Sequence, residues 1–414
     1  MKKLYSLLVI TLFSFCATIV SAHNVKTGIE VLRENNFNIL KGKRVGLITN
    51  PTGIDRNIKS TIDILFEAPG VKLVALYGPE HGVRGDTPAG EYVESAKDSR
   101  TGLPVYSLYG KTRKPTPEML KGIDVLVYDI QDIGSRSYTY ISTMGLAMEA
   151  AAENNLEFVV LDRPNPLGGL KMEGPLTEPG FTSFVSQFPI PYVHGLTVGE
   201  LASYLNNEKL LTNGEQCKLT VVKMKGWKRK MTFTDTNLPW VPSSPHIPYA
   251  QSASFYPVSG ILGELYVFNI GVGYTLPFQL FGAEWIDDAE KLAFELNNLH
   301  VPGCVFRPIH FKPYYSVSKD KMVHGVQVHI TDYGKVPLSL VQFYILQECH
   351  KIYPSKNVFD LCAPDRISMF DKVSGTDQVR KLFSKNFLVS DIVSLWNKDV
   401  ELFRAKTKRS LLYK

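Results

Sequence analysis

The sequence has 414 residues, of which 44% are hydrophobic and 21% are charged, and its formal charge is +6 at pH 7. This composition excludes a disordered chain, and the small basic excess without a basic stripe between aromatic residues argues against nucleic-acid binding. The length predicts two or three domains with a sizeable core.

The first 22 residues have the order of a secretory signal peptide. Lys2 and Lys3 precede an uncharged apolar stretch over residues 4–20, and small residues end the segment at Ala22. We expect cleavage near Ala22 and an exported protein, periplasmic or secreted, without stable membrane insertion. Four cysteines remain after cleavage, and the sequence leaves open whether they form disulfides or buried free thiols: Cys217, Cys304, Cys349 and Cys362.

Helices and short apolar strands alternate over the first part of the mature chain. The predicted helices cover residues 27–36, 60–67, 116–121, 141–155 and 197–206. The predicted strands cover residues 44–49, 71–77, 104–108, 123–128 and 158–161. Fully apolar strands between helices are typical of an α/β domain with a parallel sheet.

A proline-dense segment at residues 239–248 interrupts this alternation, and we predict a domain boundary just after it. The first domain then spans residues 23–250, and a smaller α+β domain spans residues 251–414. Its predicted elements follow a glycine-rich stretch at residues 260–273: a strand at 325–330 and helices at 286–299, 338–353, 377–383 and 392–406.

Polar loops follow four of the predicted strands, at Asn50, Gly78, Asp129 and Asp162. Right-handed crossovers bring the carboxyl ends of parallel strands to one edge of a sheet, where open α/β sheets bind ligands. We therefore expect one crevice lined by these loops. Its candidate residues are Asn50, Glu80, His81, Asp129, Asp132, Arg136, Asp162, Arg163 and Asn165.

The second of these loops is the densest in chemistry. An apolar strand stops at Gly78-Pro79, and Glu80, His81, Arg84 and Asp86 follow within seven residues. An acid, an imidazole and a guanidinium after a core strand indicate a functional site, and a surface loop with a structural ion pair is the alternative.

Carboxylates in a partly apolar crevice suit general acid and base catalysis. Arginines there can clamp a substrate carboxylate, and flat tyrosine faces can bind sugar rings or simply pack in the core. The candidates for these roles are Arg84, Arg136, Arg163, Tyr138 and Tyr140. His194 lies on a predicted turn and His246 lies in the proline-rich segment, and each is either a ligand contact or a satisfied structural imidazole. Asp162 with Arg163 is either a local ion pair or part of the chemistry.

Other reaction classes lack their motifs. The sequence has no dinucleotide fingerprint, phosphate-cradling loop, Gly-x-Ser-x-Gly elbow or His-Glu-x-x-His motif. We therefore expect no cofactor and no metal site, although Glu80, His81 and Asp132 have side chains that can ligate a metal.

Several long motifs resemble one family. They are Leu47-Ile-Thr-Asn-Pro-Thr-Gly53, Gly78-Pro-Glu-His-Gly-Val-Arg-Gly-Asp86 and the segments at 128–140, 162–169, 173–175, 191–201, 240–248 and 370–377. They are similar to the exo-β-N-acetylmuramidases, a family long carried as a domain of unknown function. The resemblance implies a Rossmann-like catalytic domain, a smaller C-terminal domain, and release of N-acetylmuramic acid from the non-reducing ends of peptidoglycan fragments.

The resemblance also implies roles for individual residues. The family's candidate catalytic glutamate falls on Glu80. Our own hypothesis from the residues adds Asp129 or Asp132 as the second carboxylate and His81 in a tuning or positioning role. The lactyl carboxylate of muramic acid calls for one of the three arginines, and its acetamido group for an amide partner. The remaining candidates for substrate binding are Asn50, Asp86, Gln131, Asp162, Asn165, Glu173, His194, His246 and Glu264.

One departure from the family pattern leaves alternatives open. Many members carry Ser-Glu-Gly-Arg-Gly where this chain has Asn269-Ile-Gly-Val-Gly273, although Glu264 is kept. A muropeptide-binding protein without hydrolytic activity is therefore one alternative, and a metal-dependent amidase or deacetylase on the same polymer is another. The sequence leaves retention or inversion open, because the spacing of the two carboxylates decides it.

Overall fold

The computed structural model describes residues 25–85 and 96–414. The predicted signal peptide and Asp86 lie outside the described residues. Among the described helices, none has both the length and the apolar character that crossing a bilayer requires.

The chain begins with an α/β arrangement and ends in a mostly helical region. The strands are β1 (Arg44–Thr49), β2 (Lys72–Gly78), β3 (Ala96–Lys97), β4 (Pro104–Ser107), β5 (Val125–Asp129), β6 (Glu157–Leu161), β7 (Lys218–Val222), β8 (Leu280–Ala283), β9 (Cys304–Phe311) and β10 (Val323–Ile330). The α-helices are α1 (Gly28–Glu34), α2 (Thr61–Phe66), α3 (Tyr140–Glu153), α4 (Val198–Asn207), α5 (Ser252–Gly263), α6 (Ala289–Asn298), α7 (Val341–Ile352), α8 (Val358–Leu361), α9 (Pro364–Ser374), α10 (Gln378–Asn386), α11 (Ser390–Asn397) and α12 (Val400–Thr407). Short 3₁₀ segments cover Asn38–Leu40, Thr212–Gly214, Phe233–Thr236, Leu338–Leu340 and Lys408–Ser410.

Within the described residues, the first seven strands form one sheet in the order β3-β4-β2-β1-β5-β6-β7. Every neighbouring pair is parallel except β3 with β4. Side chains alternate between two covered faces, so Val127 packs with Leu32 and Leu65 while Tyr128 packs with Met144 on the other face. The predicted α/β class with a parallel sheet is confirmed.

The second part contains an antiparallel sheet in the order β8-β10-β9 with helices packed around it. Its core contains several aromatic residues, for example Phe343 between Phe383 and Trp396 at ring distances of 5.3 and 5.0 Å. Tyr192 and Val193 of the first part belong to the same core. The smaller sheet with helices agrees with the predicted second unit, and the boundary near residue 250 stays a prediction.

The last helix returns to the first sheet. Phe403 of α12 packs edge-on against Tyr204 of α4 at 5.3 Å, and the Tyr413 hydroxyl donates a hydrogen bond to Asp162 at 2.5 Å. The Leu412 N–H donates to Glu200, and the Arg229 N–H donates to the carbonyl of Lys414. The final residues are therefore built into the α/β region.

Two sequence predictions of secondary structure were wrong. Residues 116–121 form turns before Gly122, since the segment between Pro117 and that glycine is too short for a helix. Residues 392–406 hold two helices, because α11 packs into the second core whereas α12 turns away to the first sheet. The glycine-rich stretch begins within the last turn of α5, where Gly260 allows close packing: a Cβ there would lie 2.8 Å from the Tyr192 hydroxyl.

The four cysteines of the described residues are free thiols, three of them buried. Burial raises the pKa of Cys217 to about 12 and that of Cys304 to about 11. These thiols behave as small apolar side chains of the core.

Candidate functional site

The polar loops after β1, β5 and β6 meet at one edge of the sheet, as predicted. The Thr49 hydroxyl donates to the Asp129 carbonyl at 2.8 Å, which ties the end of β1 to the end of β5. Gln131 links three loops, because its N–H donates to the Thr52 hydroxyl at 2.9 Å and its amide nitrogen donates to the Pro164 carbonyl at 2.7 Å. Its side chain therefore holds the edge together.

Glu80 follows β2 at this edge and contacts two hydroxyl groups that the sequence analysis missed. The Thr139 hydroxyl donates to Glu80 Oε2 at 2.7 Å. Tyr109 follows the neighbouring strand β4, and burial, together with the charge of Glu80, raises the pKa of its hydroxyl to about 12. Thr139 lies between the two predicted tyrosines and Tyr109 lies just beyond a predicted strand, so position in the chain was the available signal.

Two tyrosines form a wall beside Glu80. The rings of Tyr138 and Tyr140 meet edge to face at 4.9 Å, and both hydroxyls donate to Ser243, that of Tyr138 to its hydroxyl at 3.0 Å and that of Tyr140 to its carbonyl. Burial raises the pKa of Tyr138 far above its usual value, and the charges of Asp132 and Glu80 raise it further.

The charge of Asp129 is balanced at the sheet edge by an ion pair with Arg163. Arg163 donates two hydrogen bonds to its oxygens at 2.5 and 2.9 Å, and the Thr61 hydroxyl donates a third at 2.5 Å. A further guanidinium hydrogen bond goes to the Ile54 carbonyl at 2.8 Å. Both side chains are almost fully buried, so Asp129 and Arg163 have the contacts of a structural ion pair.

Asp132 has a different environment, although it is three residues from Asp129. Its Oδ2 accepts the Gly134 N–H at 2.7 Å, while its buried Oδ1 has no hydrogen-bond partner within residues 25–85 and 96–414. His194 Nδ1 accepts the Leu196 N–H at 3.2 Å, so the proton of the neutral ring is on Nε2, which lies 3.4 Å from Asp132 Oδ2. A buried carboxylate oxygen without a partner calls for an explanation, and a ligand group is one candidate partner.

Asn50 offers a second polar group of this kind. Its Oδ1 accepts two hydrogen bonds from Thr52, which fixes the orientation of the amide. Its Nδ2 lies near the Tyr140 hydroxyl yet makes no hydrogen bond of normal geometry in the described part of the chain. The Asn50 amide is therefore fixed in orientation, while its Nδ2 keeps a hydrogen-bond donor without a normal partner among the described residues.

His81 and Arg84 complete the loop after β2. His81 is buried and has a left-handed backbone conformation with φ of +72°. Burial lowers the pKa of His246, and the nearby His81 lowers it further. Arg84 donates to both oxygens of Asp98 at 2.9 and 3.1 Å while keeping 36% of its side chain exposed. Although burial acts to raise the pKa of Asp98, hydrogen bonds from Arg84 and Thr101 lower it to about 2.

Several other predicted site residues make internal contacts. Arg136 is fully buried and donates to the carbonyls of Pro175, Ile190 and Val373 and to the Ser186 hydroxyl, and burial lowers its pKa to about 9. The side chain of Asn165 bonds the backbone of Leu196 and Leu167.

The predicted acidic residues outside the loops of β2 and β5 are also engaged. Asp162 accepts from Thr197, Gly199 and Tyr413, and burial raises its pKa to about 7. Glu173 accepts from the Leu338 N–H and from the N–H and hydroxyl of Ser339. Glu264 lies 3.5 Å from Arg366, and burial raises its pKa.

No three histidine, cysteine, aspartate or glutamate side chains converge as metal ligands would in the two described ranges. The segment that departs from the family pattern is held by hydrogen bonds of Asn269. Asn269 donates to the carbonyls of Val272 and Val317 and accepts the Gly271 N–H. It thereby connects the loop after α5 to the loop between β9 and β10.

Comparison with known proteins covers nearly the whole described chain. The family model described as exo-beta-N-acetylmuramidase NamZ, N-terminal, matches residues 45–251, and the corresponding C-terminal model matches residues 254–413. The chain is 47% identical over 389 residues to the peptidoglycan beta-N-acetylmuramidase NamZ of Bacillus subtilis (strain 168), with 94% of this chain and 91% of the relative aligned.

Two solved structures are similar to this one, and both are DUF1343 family proteins from Bacteroides fragilis NCTC 9343. The first has a TM-score of 0.91 and 63% identity, and the second has a TM-score of 0.75 and 32% identity. Each comparison covers 94% of this chain and 99% of the other.

Proposed function

The chain belongs to the NamZ family of exo-β-N-acetylmuramidases, which are glycoside hydrolases, and on this premise we propose how it acts. It removes N-acetylmuramic acid from the non-reducing end of peptidoglycan fragments. Glu80 donates a proton to the oxygen of the leaving sugar, and the crevice at the carboxyl edge of the parallel sheet holds the terminal residue.

One observation carries the assignment of the two carboxylates. Glu80 accepts a hydrogen bond from Thr139 between the two tyrosines, and Asp132 keeps one oxygen without a partner among the described residues, whereas Arg163 binds both oxygens of Asp129. Glycoside cleavage needs an acid and a second group that supports charge or activates a nucleophile. We assign the second role to Asp132, because its Oδ1 is buried without a hydrogen-bond partner among the described residues.

The remaining groups suit the substituents of muramic acid. The Asn50 amide nitrogen has a hydrogen atom to give to the acetamido carbonyl. Of the three arginines, Arg84 alone keeps a substantial exposed surface, so we assign the lactyl carboxylate to it. Tyr138, which is only partly buried, provides an apolar face beside the sugar ring, whereas the predicted sugar contact Tyr140 is 1% exposed and packs in the core.

The test is the Glu80→Gln variant, assayed with a chromogenic β-N-acetylmuraminide. We expect turnover to fall by about 10² to 10⁴-fold, the usual contribution of a positioned proton donor, with little change in melting temperature. Glu67→Gln changes an exposed ion-paired glutamate in the same way and serves as the control. Near wild-type turnover in Glu80→Gln would remove this residue from the chemistry.

Products distinguish this activity from the alternatives. Mass spectrometry of a digest of N-acetylmuramyl-N-acetylglucosamine should show free N-acetylmuramic acid. Loss of acetate from this disaccharide, or of peptide from a muropeptide, would instead indicate a deacetylase or an amidase. Tight binding of the disaccharide without any product would indicate a binding protein.

We also propose that the protein is exported, on the basis of the basic, apolar and small-residue order of residues 1–22. The mature N-terminus of the protein produced in a bacterial host should then begin close to residue 23. Recovery of the intact N-terminus with the protein in the cytosol would contradict export.

A further inference from the structure

Two tyrosines in the loop between β9 and β10 are unusually exposed. Tyr314 is 66% exposed and Tyr315 is 52% exposed. Large aromatic side chains on a surface cost solubility, and neighbouring ones often mark a binding surface. The exposure of these two rings therefore indicates that the loop does more than connect two strands.

The loop holds these tyrosines in a fixed arrangement. The Tyr314 N–H donates to the Gly273 carbonyl at 2.8 Å, and the Asn269 amide donates to the Val317 carbonyl at 2.8 Å. Gly273 has φ of +83°, and a Cβ there would lie 2.2 Å from the Tyr315 carbonyl. An exposed aromatic group that is already ordered loses little conformational entropy when it binds a ligand.

The Tyr315 ring lies next to His246, one of the predicted substrate-binding residues. Its plane is parallel to the His246 imidazole within 13°, with ring centroids 6.1 Å apart. His246 is in the segment whose Ser243 accepts hydrogen bonds from Tyr138 and Tyr140. Burial lowers the pKa of His246, and the nearby His81, the residue that follows Glu80, also lowers it. We call the two parallel rings of Tyr315 and His246 the aromatic shelf.

An exo-acting enzyme holds the terminal sugar in its crevice, so the rest of the glycan must leave past the rim. The shelf is uncharged when the imidazole is neutral, which suits the apolar C–H face of a pyranose better than the carboxylates of a stem peptide. We propose that the aromatic shelf of Tyr315 and His246 binds the sugar on the leaving-group side of the scissile bond, an N-acetylglucosamine residue. This inference rests on the proposed function.

The test compares two substrates with the same terminal sugar. One is N-acetylmuramyl-N-acetylglucosamine, and the other is methyl β-N-acetylmuraminide, which has no second sugar. We expect Tyr315→Ala to lower the ratio of their kcat/KM values, disaccharide over methyl glycoside, by about tenfold, as expected for loss of one aromatic face. Tyr315→Phe keeps the ring and should restore the ratio.

Phe294→Ala is the matched control, because Phe294 is 63% exposed on α6 and has no place in the shelf. An equal fall for both substrates in Tyr315→Ala, or a ratio like that of Phe294→Ala, would overturn the inference.

Binding separates this failure from failure of the proposed function. In the Glu80→Gln background, calorimetry should show about tenfold weaker binding of the disaccharide once Tyr315 is also changed to alanine. Two outcomes would contradict the shelf: binding that Tyr315→Ala leaves unchanged, or disaccharide binding that is already undetectable in the Glu80→Gln parent. A wild-type protein that binds the disaccharide but releases no N-acetylmuramic acid would contradict the proposed hydrolysis and leave the shelf supported by the binding result.

Discussion

Asp129 and Asp132 are a natural pair for a matched experiment, because they are the same residue type, three positions apart and both buried. The Asp129→Asn substitution removes the negative partner of Arg163, whose side chain is 5% exposed. The analogous Asp132→Asn substitution removes a carboxylate whose buried Oδ1 has no hydrogen-bond partner among the described residues. We expect the first to reduce stability and the second to reduce turnover.

The size of the stability effect follows from the contacts of Arg163. Asp129→Asn leaves a buried guanidinium with a carbonyl hydrogen bond and no countercharge, which costs about 3–5 kcal/mol. For a chain of 414 residues the unfolding entropy is roughly 0.9 kcal/mol per degree. The melting temperature should therefore fall by about 3–6 °C.

Asp132→Asn keeps an oxygen for the Gly134 N–H and removes a buried charge, so its melting temperature should stay within about 1 °C of wild type. Its turnover should fall at least 100-fold, whereas folded Asp129→Asn should retain most activity at 25 °C. Thermal unfolding and hydrolysis of N-acetylmuramyl-N-acetylglucosamine measure the two effects. Equal destabilisation by both variants, or an inactive but fully stable Asp129→Asn, would refute this division of roles.

Three further predictions concern the scaffold. The pKa of Asp162 is raised from 3.8 to about 7 in the folded protein, so its stabilisation is fully present below about pH 4 and is lost as pH rises through 7. Denaturant unfolding at pH 5 and pH 8 should show a loss of about 2–3 kcal/mol with increasing pH that Asp162→Asn lacks, and an identical pH profile in both proteins would refute the shift. Arg136→Met should lower the free energy of unfolding by roughly 3 kcal/mol or more, because three buried carbonyls lose their hydrogen-bond donor. Arg136→Lys should not restore this stability, because an ammonium group cannot reproduce the planar set of donors of the guanidinium. A melting temperature near wild type in Arg136→Lys would count against this prediction. Deleting residues 412–414 should lower the melting temperature by several degrees, and an unchanged value would show that these contacts contribute nothing.

The sequence was most informative where a pattern is local. The apolar runs of β1, β2, β5 and β6 predicted buried strands, and the rule that parallel strands end at one edge predicted that their polar loops would meet. The motif after β2 predicted Glu80 as the catalytic acid, and this role stays a prediction. Each of these inferences needed only neighbouring residues and a general rule.

The roles of the charged residues depended on distant partners. Arg136 reads as a substrate clamp, but the carbonyl of Val373, 237 residues later, takes one of its hydrogen bonds. Asp129 and Asp132 look equivalent until Arg163 reaches one of them from the loop after β6. Tyr315 gains its meaning from His246, which no periodicity connects to it.

The return of residues 412 and 413 to the sheet has a consequence for dividing the chain into parts. The buried carboxylates of Asp162 and Glu200 lie inside the α/β region, yet two of their hydrogen-bond donors, the Tyr413 hydroxyl and the Leu412 N–H, follow 251 and 212 residues later. A fragment that holds the α/β region alone lacks these donors. The two parts of the chain therefore complete each other's buried hydrogen bonds, and the α/β region cut out by itself keeps two acidic groups with incomplete pairing.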